Sequence, residues 1–110
     1  LEPIQGEAGY IPPSQEYLGA LRKKCNETGA LLIFDEVQCG FGRTGNMFGT
    51  ETYNLDPDMI SFAKALSSAY VPISALMVSE QIFQAMVIES EKIGILIYSV
   101  QFKITLIKPF

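Results

Sequence analysis

Residues 31–45 read LLIFDEVQCGFGRTG. An apolar run ends in two adjacent acids, Asp35 and Glu36, and a glycine-rich segment follows. The run from Ala30 to Phe34 is too short for a helix and too apolar for a half-exposed strand. It reads as a strand buried on both faces, as in a parallel sheet. Three kinds of site end a strand in this way: one holding magnesium beside a nucleotide, one binding a dinucleotide, and one holding a pyridine ring.

Upstream, the prolines of YIPP (residues 10–13) bar a helix before Ser14. Ser14 is placed to cap a helix whose first turn carries Gln15 and Glu16. Tyr17, Leu18, Leu21 and Cys25 recur at helical spacing as one apolar face, and Gly29 is the expected stop. Downstream, Gly40 to Pro57 shows no sustained period and reads as a long loop. Asp58 to Phe62 and Ile73 to Val78 are expected strands, Ala63 to Tyr70 a turn, and Glu80 to Glu89 a short helix. Helix, glycine and buried strand in succession make this an α/β chain.

Composition narrows the function. At 110 residues the chain is one domain at most, or a piece of a larger one. A hydrophobic content of 48% places it among globular proteins, and a net charge of −4 argues against nucleic acid. Arg22, Lys23 and Lys24 form the one basic run, and they close a helix. Cys25 and Cys39 lack metal spacing, and the absence of histidine leaves no zinc site. They read as reduced thiols of an intracellular protein. The expected location is the cytoplasm, with the mitochondrion left open. The apolar stretch from Ile93 is broken by Gln101, Lys103 and Lys108, so no membrane span is expected. The chain opens mid-pattern at Leu1-Glu2-Pro3-Ile4, which suggests a fragment.

The magnesium reading treats Asp35 as the metal ligand and Glu36 as the group that polarises water. It requires a phosphate loop of the form G-x-x-x-x-G-K-[ST], and none occurs here. The dinucleotide reading rests on GFGRTG (residues 40–45), a letter-for-letter match to G-x-G-x-x-G. That fingerprint works only in a tight turn from strand to helix. Here the acidic segment 35–39 separates the strand from Gly40, and no amphipathic helix follows. The third reading needs an amine. Lys64 lies in SFAKALSS with apolar neighbours at 62, 63, 65 and 66. An amine stripped of hydration gives up its proton more readily, and a neutral amine attacks aldehydes. A carboxylate at one strand end and a lysine just beyond another are the two protein groups that pyridoxal phosphate requires.

Three segments carry a resemblance: EPIQGEAGYIPP, ALLIFDEVQCGFGRTGNMFGTE and PDMISFAKALSSAYVPISA. In wording, order and spacing they resemble the class III aminotransferases, pyridoxal-phosphate enzymes of fold type I, over approximately residues 1–92. The resemblance implies a piece of the large domain, a mainly parallel sheet with flanking helices. It implies transfer of an amino group between an amine or ω-amino acid and a keto acid, in a homodimer with active sites at the interface. Lys64 would be the Schiff-base lysine and proton carrier, and Asp35 would pair with the ring nitrogen. Val37 would pack on the ring face, and Gln38 would donate to the phenolic oxygen of pyridoxal 5'-phosphate. Glu7 resembles a glutamate that gates carboxylate substrates by pairing with an arginine. Glu36 receives no cofactor role and is expected to make a structural hydrogen bond. Arg43 and Thr44 are expected to be structural or interfacial.

Residues 93–110 form a divergent tail. The family continues with a threonine that reaches the partner subunit's cofactor phosphate, and Thr105 does not match its context. The tail is apolar and β-branched, the composition of an aggregation-prone strand. Without phosphate-binding parts, the isolated chain is expected to be inactive. The rival reading is a catalytically inactive remnant that at most binds or dimerises with an intact homologue.

Overall fold

The computed structural model describes residues 1–93, which divide into a compact unit, Leu1–Glu80, and a second that begins at Gln81. Apart from Ile93, the divergent tail and Thr105 lie outside the described residues.

Helix α1 spans Gln15–Thr28 between the two signals that bound it in the sequence. Ser14 Oγ accepts the Tyr17 amide at 3.2 Å, and Gly29 ends the helix in the left-handed region with φ of 70°. Leu18 and Cys25 are buried and Leu21 packs beside them, whereas Tyr17 points to solvent. The expected apolar face therefore loses Tyr17, whose spacing put it on the margin of the stripe.

The sheet contains β1 (Ile33–Asp35), β2 (Met59–Phe62) and β3 (Ala75–Val78), in that order. β1 and β2 run parallel, with Ile33 opposite Met59 and Asp35 opposite Ser61. β2 and β3 run antiparallel, with Met59 opposite Val78. The expectation of a mainly parallel sheet thus holds for one of the two pairs. Between β2 and β3 stand the short turn Lys64–Leu66 and the further turns that follow it, instead of the crossover helix usual for a parallel return.

Burial of β1 also departs from expectation. Leu32 and Phe34 are buried, but Leu31 and Ile33 are 54% and 42% exposed. The alternation follows from α1 packing on one face: Leu18, Cys25, Leu32, Phe34 and Tyr53 form one core cluster. Fully burying Leu18 and Phe34 contributes about 2 kcal/mol each. Arg22 ties α1 to the sheet by donating to Asp58 Oδ2 at 2.7 Å, and the same oxygen accepts the Leu32 amide at 2.6 Å.

The long loop contains a short helix, α2 (Gly49–Tyr53), too brief to leave a periodic signal. Its approach is held by an aromatic cluster. The Phe41, Phe48 and Phe62 rings meet at centroid distances of 5.0 to 5.8 Å, which anchors the loop against β2. Helix α3 runs from Glu80 to Ile93, four residues beyond the expected Glu89. Among the described residues no helix is long and apolar enough to cross a membrane.

Candidate functional site

The turn that leaves β1 splits its two acids. Asp35 Oδ1 accepts the Val37 amide at 3.0 Å, which bends the chain out of the strand. Gly40 N–H donates to the Glu36 carbonyl at 2.9 Å and closes the turn. Asp35, Val37 and Gln38 all stay half-buried.

Glu36 points the other way and is fully buried. Its carboxylate accepts the amides of Gly49 at 2.7 Å and Thr50 at 2.9 Å. These are free donors at the start of α2, so the acid caps that helix from across the loop. The structural hydrogen bond expected of Glu36 is present.

The N-terminal segment is brought alongside the same turn. Leu1 donates to the Ile33 carbonyl and accepts the Asp35 amide, both at 2.8 Å. Gln5 and Ile11 exchange backbone hydrogen bonds at 3.1 Å and close the loop between them. Inside that loop Gly6 N–H donates to Glu2 Oε2 at 2.6 Å, and the Gly6 carbonyl accepts the amides of Gly9 and Tyr10 at 3.2 Å.

Lys64 enters from the end of β2 with φ of 42°, an uncommon conformation for a side-chain-bearing residue. Residues 63–70 are stitched by short-range bonds, including Leu66 N–H to Ala63 O at 3.0 Å and Tyr70 N–H to Ser67 O at 3.0 Å. The apolar neighbours of Lys64 suggested a desolvated amine, but its side chain is exposed. The tight turn lifts it off the strand end. Its Nζ donates to Gln38 Oε1.

Gln38 and Lys64 border a hollow of about 590 Å³ together with Ile4, Gly6, Tyr10, Cys39, Arg43 and Thr44. Asp35 and Val37 are not in its lining; they belong to the turn that delivers Gln38. Glu7 borders a different hollow, with Glu2, Gln5 and Tyr17. Gly6 and Tyr10 were not singled out from the sequence, because the pairing of Leu1 with β1, far along the chain, is what lays their loop beside this turn. Arg43 and Thr44 join the lining, with Thr44 Oγ1 accepting from Thr52 Oγ1 at 2.9 Å.

The volume suits a small-molecule site. An amine, an amide, a guanidinium and a hydroxyl form a donor set that fits a phosphorylated aldehyde. With Oε1 occupied by Lys64, Nε2 is the donor that Gln38 keeps. The residues present fit pyridoxal phosphate.

The two nucleotide readings do not survive the geometry. The first helix after GFGRTG is α2, and its leading amides are occupied by the Glu36 carboxylate, so they cannot cradle a pyrophosphate. Glu36, sealed from solvent, is not placed to polarise a water molecule.

In the wall of the hollow, burial pushes the Cys39 thiol up to about 11, with the Glu36 carboxylate adding to the shift. The thiol lies 3.7 Å from Glu36 Oε2. Tyr53 is also raised, by burial first and then by the charge of Cys39.

Residues 1–93 match the family Aminotransferase class-III. A putrescine aminotransferase of Pectobacterium atrosepticum is 52% identical over 86 residues, 78% of this chain and 18% of that protein. A solved transaminase with L-ala is 41% identical, with a TM-score of 0.82 over 90% of this chain and 23% of its own. The omega transaminase from Pseudomonas jessenii in complex with PMP is 40% identical, with a TM-score of 0.82 over 89% and 22%. The chain spans about a fifth of the length of these relatives. It belongs to the class-III aminotransferases, a family that uses pyridoxal phosphate.

Proposed function

We propose that this chain forms the cofactor-facing part of a transaminase that moves an amino group between an amine or ω-amino acid and a keto acid. The observation that carries the reading is the meeting of Lys64 Nζ with Gln38 Oε1 at the edge of the hollow, beside the turn that begins at Asp35. When bound, pyridoxal phosphate supplies an electron sink that makes a substrate C–H bond acidic. Lys64 would hold the cofactor through Nζ and, once free, carry the proton leaving the substrate carbon. Asp35 would keep a proton on the ring nitrogen by placing a carboxylate against it. Val37, a stiff β-branched side chain, would pack on the ring face. Gln38 Nε2 would donate to the phenolic oxygen.

Assignment to the large domain of fold type I and to a homodimer belongs to the same proposal, as does a gating role for Glu7. Glu7 borders a second hollow but shares the Gln5–Ile11 loop with Gly6 and Tyr10 of the first, so gating would act through that loop. The test is absorbance. Pyridoxal phosphate added to the chain should give a new visible band that is absent from Lys64→Ala; an identical band in that variant contradicts the proposal.

A second reading keeps the site and drops the turnover. Tyr10, Arg43 and Lys64 are exposed, so these groups do not shield a reaction from water. On this reading the isolated chain is inert and at most binds or pairs with an intact relative. Measurable amino transfer by the 110-residue chain would overturn it.

A further inference from the structure

We propose that Gly6 is a positioning residue for Lys64, acting through Gln38. Gly6 is buried, and the Gln38 side chain lies across the space a side chain at position 6 would fill. A Cβ there would stand 2.6 Å from Gln38 Nε2, 2.9 Å from Cδ and 3.3 Å from Cγ. The first two distances are closer than nonbonded atoms of these kinds approach. The atoms met belong to the movable end of a glutamine, not to backbone. An added methyl group therefore has an easy way out: the amide swings aside and the fold stays.

Backbone conformation does not explain the glycine, because Gly6 is not among the residues with positive φ. What it provides is room. Glu2 holds the position by accepting the Gly6 amide at 2.6 Å, and the Gly6 carbonyl anchors Gly9 and Tyr10 at 3.2 Å. The bare face of a pinned glycine thus becomes the surface on which the Gln38 amide lies. From there Oε1 accepts from Lys64 Nζ. A relay of contact runs from Glu2 through Gly6 and Gln38 to Lys64. The importance of the relay for catalysis rests on the functional reading of Lys64 proposed above; the contact itself does not.

The test reads Lys64 without cofactor. The intact chain and its Gly6→Ala, Gln38→Ala and Gly6→Ala/Gln38→Ala variants are labelled with an amine-acylating reagent. Modification at Lys64 is followed by peptide mass spectrometry, with far-ultraviolet circular dichroism to verify folding. Gln38→Ala should speed Lys64 labelling about fivefold, the factor expected when a hydrogen bond of ordinary net strength is lost. Gly6→Ala should do nearly the same, and the double variant should match Gln38→Ala alone, because Gly6 acts only through that side chain. Labelling of Gly6→Ala at the unsubstituted rate would overturn the proposal. So would a Gly6 effect of equal size in the Gln38→Ala background, or loss of folded signal in Gly6→Ala. Failure of pyridoxal phosphate to react at Lys64 would instead count against the functional reading, leaving this result standing.

Discussion

The Glu36 carboxylate accepts the Gly49 amide at 2.7 Å, joining the end of β1 to the start of α2 across the glycine-rich loop. Its other oxygen takes the Thr50 amide, and the side chain has no exposure to solvent. Glu36→Gln would turn one acceptor into a donor facing a donor. That variant should lose about 1–3 kcal/mol in urea unfolding, the cost of leaving a buried polar group unsatisfied. An unchanged midpoint would mean that the bond is dispensable.

Two glycines should respond to alanine with opposite signs. At Gly40 a Cβ would lie 2.8 Å from the Glu36 carbonyl oxygen, a backbone atom that cannot swing aside. Gly40→Ala should cost about 1–3 kcal/mol through overpacking. At Gly19, inside α1, an added Cβ would meet nothing within 4 Å. Gly19→Ala should stabilise by roughly 0.5–1 kcal/mol, because alanine loses less backbone freedom in a helix. Thermal or urea unfolding of the two variants checks both signs.

Alkaline pH should weaken the fold through Cys39. Its folded thiol is raised from 9.0 to about 11, so the unfolded chain gives up this proton first. The stabilisation is complete below pH 9 and is lost as pH rises through about 11, by on the order of 2 kcal/mol. Cys39→Ala should flatten that part of the stability–pH curve. Equal slopes for the two proteins would contradict the placement of the thiol beside Glu36.

At the acid end the sign reverses. Burial pushes the Asp58 carboxyl up, but the Leu32 amide and the Arg22 guanidinium outweigh it and hold the group below 3.8. Its stabilisation is therefore present above that pH and is lost as pH falls below it. Arg22→Ala should cost about 1 kcal/mol at neutral pH. The gap to the unsubstituted chain should close under acid, as followed by urea titration at stepped pH.

Much of this architecture was legible where a local signal decides the structure. Ser14 and Gly29 mark the ends of α1 because capping is a matter of neighbouring residues. The structural hydrogen bonding of Glu36 also showed early, since the resemblance gave that residue no cofactor role. What stayed hidden depends on distance or brevity. Five residues of α2 cannot display a helical period, and its stability comes from Glu36 far back in the chain. Exposure of Lys64 follows from its left-handed backbone and the short-range bonds after it, whereas apolar neighbours alone suggested burial. The contact of Gly6 with Gln38 exists only because Leu1 pairs with β1.

The most direct measurement is the site of covalent capture. Pyridoxal phosphate is added to the intact chain, the adduct is fixed with borohydride, and the modified peptide is identified by mass spectrometry. The expected result is a pyridoxyl group fixed preferentially on Lys64. Capture spread evenly over Lys23, Lys24 and Lys64, or undiminished in Lys64→Ala, would contradict the assignment of this lysine.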